Sequence, residues 1–254
     1  KVKFDFEIES KTENMIYKKR DLIESCSVER IRDELYKIFA FSNTAQNLKY
    51  MEESLDILSY IIPHLSKMKK VGKCRYHSED VWTHSQHMLE LFEDIKQNDL
   101  INYLPSPKKH PVFKLAVLLH DFGKIFTEIK EDGTTHFYGH AKVGAEKAKA
   151  FLSDLKFSNK KIKYIKTLIR YHMQPLYLYT EDKATEKAVY RFFNKTGEFT
   201  ADVCLLSAVD VGSTRILNGE RKEAKKYWSY INNLLNKYHN MARKTEKIFL
   251  DGKE

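Results

Sequence analysis

Apolar side chains recur at intervals of three and four residues along most of this chain, and this spacing restricts its fold more than any other feature. Ile31, Leu35 and Ile38 form one such stripe, and Val203 and Leu206 begin another. The chain has 254 residues but only 9 Gly and 5 Pro, which disfavours a loop-rich all-β protein. The sequence therefore predicts an all-α fold.

Capping and breaking residues divide the chain into separate helices. Acidic residues at 79 and 80 begin a helix that runs to about residue 95, and Gly123 is placed to cap the helix that ends at His120-Asp121. A stripe from Met51 to Ile62 predicts a helix that Pro63 stops. Further helices are predicted at about 140–154, 159–172, 184–195, 200–211 and 219–249.

Two other features set the organisation of the chain. Asp132-Gly133 is a hairpin or turn signal. A polar stretch at 67–76, which contains Gly72, is typical of a linker. We therefore predict a small helical neck-like region at 1–72 and a larger helical domain at 73–254.

Composition limits the class of protein further. At 42% hydrophobic residues the chain can bury a large core, and its longest apolar run, 115–119, is far shorter than a membrane span. Three separated cysteines provide no disulfide framework, which favours a reducing, cytoplasmic location. The net charge of +9 suits nucleic acid, nucleotides or phosphorylated small molecules, but an ordinary solvated lysine-rich surface explains it equally well.

Metal-ligating side chains lie on the apolar stripes of several predicted helices. His84 is four residues from Met88, and His172 continues the stripe that contains Ile169. Imidazole and carboxylate groups are natural ligands of divalent metal ions. The candidate ligands are His84, His120, Asp121, His140, His172 and Asp210.

A buried imidazole or carboxylate is costly unless it is paired or binds a metal. One histidine on an apolar face is more often a core residue with satisfied hydrogen bonds than a ligand. Five predicted helices that each direct such a residue inward favour a shared site instead. Two carboxylates would offset about half the charge of two divalent ions, and a phosphate ester with a bridging hydroxide would supply the remainder.

Four motifs in order resemble the HD superfamily of metal-dependent phosphohydrolases. His84, the pair His120-Asp121, and Asp210 are similar to its H…HD…D pattern. More narrowly, the runs 80–85, 118–124, 139–145 and 170–173 resemble the HD domain of bacterial tRNA nucleotidyltransferases and poly(A) polymerases, and 27–35 resembles their neck. The resemblance covers nearly the whole chain and implies an HD helical bundle that binds one or two Mn, Mg, Ni, Fe or Zn ions.

The resemblance also implies roles for individual residues. The extra histidines His140 and His172 resemble those of the HD proteins that bind two ions. By that resemblance Asp121 would bridge the two ions. Lys124 follows the HD pair by one helical turn and would contact a phosphate oxygen or the leaving group. We therefore predict Asp121 and Lys124 as catalytic residues.

Further cations are placed to bind an anionic substrate. Arg170 and Arg191 are candidate phosphate contacts, and His77 is a candidate substrate-facing residue. Lys163, Lys166 and Arg170 share one helix face that would suit a nucleic-acid backbone. Tyr171, Tyr177 and Tyr179 follow closely, and their rings suit either base stacking or ordinary packing.

The family's catalytic head, with its paired metal-binding aspartates, has no counterpart in these residues, and both ends look cut, so we expect a longer natural protein. Three functions remain open. The first is a phosphohydrolase of nucleotide or RNA-end phosphate esters, including 2′,3′-cyclic phosphates. The second is a non-catalytic body that binds tRNA for a missing head, and the third is a di-iron oxygenase of HD fold. The sequence indicates no membrane partner and leaves the oligomeric state open.

Overall fold

A computed structural model describes residues 6–74, 78–94, 105–180 and 185–251. These residues form two compact units. The first unit contains the described residues as far as Asp94 and those from Pro105 to Arg170, and the second begins at Tyr171.

Nine α-helices supply most of the described part of the first unit. They are α1 (Ser10–Lys18), α2 (Val28–Ala40), α3 (Thr44–Glu53), α4 (Leu65–Met68), α5 (Val81–Asp94), α6 (His110–Leu119), α7 (Lys124–Thr127), α8 (His140–Asp154) and α9 (Asn159–Tyr171), whose last residue already belongs to the second unit. Short 3-10 helices at Arg20–Ser25, Leu58–Tyr60 and Pro107–Lys109 join them.

Helix α6 is the centre of the first unit because it is apolar on nearly every side. All its residues from Pro111 to Leu119 are buried, and it packs against α2 and α5. Its one buried cation, Lys114, is fully paired: the Nζ atom lies 2.6 Å from a Glu93 oxygen and donates to the carbonyl of Phe41 at 2.7 Å. Each apolar side chain buried here contributes about 1.5–3 kcal/mol to folding.

The predicted hairpin between α7 and α8 is confirmed. Strands β1 (Ile129–Glu131) and β2 (Thr134–His136) pair antiparallel, with Lys130 opposite Thr135. Asp132 and Gly133 both have positive φ, 49° and 74°, which is the geometry of a tight two-residue turn.

The continuous helix predicted from Met51 to Ile62 is wrong. Helix α3 ends at Glu53, and the chain reverses at Asp56, which has a left-handed φ of 50°. Met51 and Ile62 are nevertheless buried, so the stripe identified core residues correctly but crossed a turn. The predicted polar linker at 67–76 also begins inside α4, and its residues 75–77 lie outside the described ranges.

The described residues of the second unit form four α-helices and a short 3-10 helix at Gly197–Phe199. The α-helices are α10 (Gln174–Thr180), α11 (Glu186–Thr196), α12 (Thr200–Leu217) and α13 (Arg221–Asp251). Helix α12 is buried along most of its length and packs against α13. Trp228 of α13 donates its indole N–H to the carbonyl of Ala208 at 2.9 Å, and its ring lies so close to Gly212 that a Cβ there would be 2.9 Å away.

The all-α prediction is therefore confirmed, since the described ranges contain only one two-stranded sheet beside the helices. The five predicted segments from 140 onward correspond to α8, α9, α11, α12 and α13, although α12 continues six residues beyond the predicted end at 211. The short helix α10 was not predicted. All three cysteines are free thiols. Among the described helices, none has the length and apolar character needed to cross a bilayer.

Candidate metal centre

His84 lies in the first turn of α5, where it is 2% exposed. Asp80 caps this helix, because its carboxylate accepts hydrogen bonds from the backbone N–H and the hydroxyl of Thr83, at 2.9 and 3.0 Å. The acidic start of α5 read from the sequence is therefore an N-cap. Its hydrogen bonds fix the turn that carries the His84 imidazole.

His120 follows the last residue of α6 and is fully buried. Its Nδ1 atom lies 2.8 Å from the carbonyl oxygen of Val117. A carbonyl only accepts, so Nδ1 carries a proton and donates it. Nε2 is therefore the ring nitrogen that could bind a metal.

His140 is the first residue of α8 and repeats the same arrangement. Its Nδ1 atom lies 2.9 Å from the carbonyl oxygen of Phe137, so Nδ1 donates here as well. The Nε2 atom lies 3.4 Å from Oδ1 of Asp121. In both histidines Nε2 is therefore the nitrogen that faces Asp121 and could bind a metal.

Gly123 allows α8 to approach the HD pair. A Cβ atom at this position would lie 2.0 Å from the carbonyl oxygen of His140 and 2.6 Å from the backbone nitrogen of Gly144. Gly144 in turn faces the backbone of Gly123. The close packing predicted for the face of His140 and Gly144 is confirmed, whereas the capping role predicted for Gly123 is wrong, because Gly123 has a φ of −67° and α6 already ends at Leu119.

The Asp121 carboxylate lies between these groups. Its Oδ2 atom is 3.2 Å from Nε2 of His120 and 2.5 Å from Nζ of Lys124, while Oδ1 faces His140. Burial alone would raise the pKa of Asp121, but the Lys124 ammonium, together with His120 and His140, holds that pKa well below its usual range. Asp121 is therefore an ionised carboxylate, which is the form that binds metal.

Lys124 is itself buried, with 5% of its surface exposed. It begins the short helix α7, and its Nζ atom lies 5.5 Å from the centre of the Phe137 ring. The sequence placed Lys124 beside a phosphate, but its ion pair with Asp121 was not foreseen. The signal was present, because three residues in a helical turn separate the two side chains.

The donor set of the first unit fits a divalent ion. One ligand atom from each of His84, His120 and Asp121 lies within 4.8 Å of the other two, and all three residues are buried. Two imidazoles and one carboxylate suit zinc and first-row transition ions such as iron, and three protein ligands leave positions for water or substrate.

The two remaining predicted ligands belong to the second unit. His172, at 0% exposure, follows α9 directly, and Asp210, at 6% exposure, lies within α12. A ring nitrogen of His172 is within 4.8 Å of an Asp210 carboxylate oxygen. The burial predicted for both residues is confirmed, and their role as ligands stays a prediction from the sequence.

Three further residues were predicted as substrate contacts: Arg170, Arg191 and His77. Arg170 is half-buried in α9. The hydrogen bond from Lys166 is the main reason that the pKa of Glu146 is lowered, and the charge of Arg170 makes a smaller contribution. Lys166 of the predicted basic face is thus partly neutralised by Glu146, at 2.9 Å. Arg191 is exposed on α11, and His77 lies outside the described residues.

Family comparisons agree with this architecture. Residues 76–210 match the HD domain family, and residues 5–69 match a family described as the probable RNA and SrmB- binding site of polymerase A. The chain therefore belongs to the HD domain family, and its matched N-terminal segment is of the polymerase A neck type.

Among curated proteins the chain is similar to tRNA nucleotidyltransferases. It is 30% identical over 202 residues to the CC-adding tRNA nucleotidyltransferase of Thermus thermophilus, which covers 77% of this chain and 41% of that protein. It is 27% identical over 189 residues to the A-adding tRNA nucleotidyltransferase of Deinococcus radiodurans, which covers 74% and 40%. The chain thus spans about two fifths of the length of these relatives.

Proposed function

We propose that this protein is a metal-dependent phosphohydrolase that acts on phosphate esters of nucleotides or RNA ends. The observation that carries the proposal is the buried cluster of His84, His120 and Asp121, whose ligand atoms lie within 4.8 Å of one another. A divalent ion held there lowers the pKa of water and polarises a phosphoryl oxygen.

The residues of the chain prepare this site in two ways. The carbonyls of Val117 and Phe137 orient His120 and His140 through Nδ1, so that Nε2 of each ring already faces Asp121 and no rotation of the ring is needed before binding. Buried apolar residues such as Phe122 border the HD pair and reduce access of water to it. Electrostatic interactions with a phosphate are stronger in such an environment.

Lys124 is proposed to neutralise charge during the reaction. Its ammonium has three N–H groups, and the short contact to Asp121 occupies one of them. The other two are then available to a phosphoryl oxygen or a leaving oxygen. The ion pair with Asp121 holds the Lys124 ammonium in place. This supports the proposed role, because a preorganised cation does not have to reorient as charge develops on the phosphate.

The ligand set proposed from the sequence is larger than the cluster. It adds His140, His172 and Asp210, and it would hold one or two ions of Mn, Mg, Ni, Fe or Zn. The Nε2 atom of His140, directed at Asp121, supports the first of these additions. The other two rest on the H…HD…D resemblance and on their burial.

The substrate class is proposed from the families and proteins that this chain resembles. The polymerase A neck match at 5–69 is a family described by RNA binding, and both relatives are named as tRNA nucleotidyltransferases. A net charge of +9 is compatible with anionic substrates of this kind.

The test is hydrolysis of 2′,3′-cyclic AMP by the full chain with Mn²⁺ or Ni²⁺ added. We expect turnover that EDTA abolishes, and a loss of at least ~100-fold in His84→Ala and in the isosteric Asp121→Asn. The matched control is His87→Ala on the same helix, whose half-buried side chain pairs with Glu79 and is not a predicted ligand, so the rate should stay within twofold. Circular dichroism verifies that each variant is folded.

A metal-loaded, folded protein without turnover on this or other nucleotide esters would overturn the phosphohydrolase proposal. The second candidate, a non-catalytic tRNA-binding body, is favoured by the RNA-binding description of the family matched at 5–69. It predicts tight tRNA binding that Asp121→Asn does not change and no hydrolysis at any metal concentration.

A further inference from the structure

The second unit contains a pocket of 270 Å³ that none of the predicted metal ligands lines. It lies between α10 and α11 and near the end of α9. Phe192 and Leu178 are buried beneath it, while Tyr177, at 46% exposure, stands at its edge. Pockets that enclose drug-sized ligands measure roughly 300–1,000 Å³. This pocket lies just below that range, so it suits a small ligand such as part or all of one nucleotide.

Two cations give this pocket its charge. Arg191 and Lys195 are four residues apart on α11, so they lie on the same face of that helix. No carboxylate lines the pocket, and within the described ranges neither cation is within ion-pair distance of one. A guanidinium binds a phosphate through two parallel hydrogen bonds, and the ammonium adds a second charge.

The other polar side chains of the pocket suit a base. Tyr171 and Tyr177 provide aromatic rings on which a base stacks, and Gln174 provides an amide that both donates to and accepts from a base edge. Helix α11 is held by its N-cap, because the Thr185 side chain accepts a hydrogen bond from the backbone N–H of Ala188 at 3.2 Å. The two cations therefore project from a well-formed helix.

We propose that this pocket binds one nucleotide of a single-stranded RNA, with its phosphate on Arg191 and Lys195 and its base stacked on Tyr177. The sequence placed Arg191 beside a substrate phosphate, and the structure adds the aromatic rings and the amide that distinguish a nucleotide from a simple anion. The pocket lies entirely within the second unit, and its binding function does not depend on hydrolysis.

The experiment is fluorescence anisotropy of a labelled eight-nucleotide single-stranded RNA titrated with the full chain. We expect Arg191→Gln/Lys195→Gln to weaken binding at least ~10-fold and to lower the slope of log K against log salt by about 1.4, since each phosphate contact on a single strand contributes about 0.7. Tyr177→Leu should weaken binding roughly 10-fold without a change of slope, and Tyr177→Phe should bind as the original protein does.

Lys187→Gln is the matched control, because Lys187 is exposed on the same helix but does not line the pocket. If this control loses as much affinity as the double variant, or if the double variant binds normally, the proposal is overturned. Competition separates the base from the phosphate. AMP should displace the RNA better than ribose 5-phosphate does, and equal displacement by the two would contradict recognition of the base.

This binding test is separate from the test of the proposed function. Arg191→Gln/Lys195→Gln reports on RNA affinity, whereas His84→Ala and Asp121→Asn report on hydrolysis of a small cyclic nucleotide. Failure of hydrolysis with intact, variant-sensitive RNA binding would overturn only the phosphohydrolase proposal. Hydrolysis together with variant-insensitive RNA binding would overturn only the pocket.

Discussion

The Nζ atom of Lys124 lies 2.5 Å from Oδ2 of Asp121, and both side chains are buried. Three residues apart on one helical turn, they form an ion pair inside the HD motif itself. The pair explains how Asp121 stays ionised in a buried site before any metal is bound. It also means that Lys124 and a bound metal ion would both interact with the Asp121 carboxylate.

We therefore predict that Lys124→Met destabilises the metal-free protein. Removal of one partner from a buried ion pair leaves an uncompensated charge, and the cost is about 3–5 kcal/mol. A bound divalent ion would compensate the carboxylate, so Mn²⁺ should raise the Tm of this variant more than that of the original protein. Thermal unfolding with EDTA and with Mn²⁺ measures both effects.

The control for this prediction is Lys226→Met. Lys226 also pairs with an acid three residues earlier, Glu223, at 2.6 Å, but this pair is exposed. An exposed pair contributes little to stability, because water and salt screen it. If Lys124→Met and Lys226→Met cost the same in EDTA, the buried pair does not hold the HD motif together.

A second prediction concerns the contact between Gly123 and the first turn of α8. Gly123→Ala would put a Cβ atom 2.0 Å from the carbonyl oxygen of His140, and backbone atoms on both sides must move to relieve it. We expect a loss of stability of about 3 kcal/mol or more and a lower metal content, because His140 moves away from Asp121. Urea unfolding and elemental analysis of the purified variant measure these quantities.

Gly133→Asn provides the comparison. Gly133 has a φ of 74°, but a Cβ atom there would have no neighbour within 4 Å, and asparagine tolerates this backbone conformation. We expect a cost below about 1 kcal/mol and unchanged metal content. Metal content that falls equally in both variants would show that the close approach at Gly123 is not what positions His140.

Particular residues show how far sequence reasoning reaches. The helix at His140–Asp154 agrees with its prediction at both ends, because a periodic apolar face and a preceding glycine mark it locally. The burial of all six predicted ligands also follows from periodicity, since each lies on an apolar stripe. Periodicity and local signals therefore predicted the helices and the buried positions.

The errors have a different origin. A left-handed residue at Asp56 breaks the stripe from Met51 to Ile62, and the apolar periodicity continues across that turn as if the helix did not end. The role of Gly123 depends on a backbone more than fifteen residues further along the chain, which a sequence pattern cannot place. The Nδ1 hydrogen bonds of His120 and His140 depend on loop carbonyls in the same way.

A third prediction concerns pH. Burial, and after it the hydrogen bond and charge of Glu13, raise the pKa of Tyr50 to about 12. The neutral phenol is therefore favoured by folding relative to an unfolded tyrosine of pKa ~10. The stability that the neutral Tyr50 phenol contributes to the folded state is fully present below pH ~10 and is lost as the pH rises towards 12.

Tyr50→Phe removes the hydroxyl that bonds Glu13 and so loosens α1 from α3. We expect about 0.5–1.5 kcal/mol lower stability at pH 8, and a smaller difference from the original protein at pH 11. Urea unfolding at the two pH values measures it, with Tyr17→Phe, at a residue 45% exposed, as the control. A difference that stays constant between pH 8 and pH 11 contradicts the assignment.

The last prediction tests the ligand set that the sequence assigns to the second unit. His172 and Asp210 are buried with ligand atoms within 4.8 Å of each other, which is the proximity that a shared metal ion requires. If both are metal ligands, His172→Ala and Asp210→Asn should each weaken Mn²⁺ binding at least ~100-fold, more than loss of an outer partner would. Loss of bound metal should also lower the Tm in Mn²⁺ but not in EDTA.

His136→Ala controls for the general loss of an imidazole, because His136 lies in β2 and is only partly buried. Calorimetric titration with Mn²⁺ gives the affinity and the number of ions for each variant. A variant that loses one of two ions identifies the residue with that ion, and loss of the only ion indicates a single site. Unchanged affinity and stoichiometry in both variants would remove His172 and Asp210 from the ligand set and restrict the centre to the cluster around Asp121.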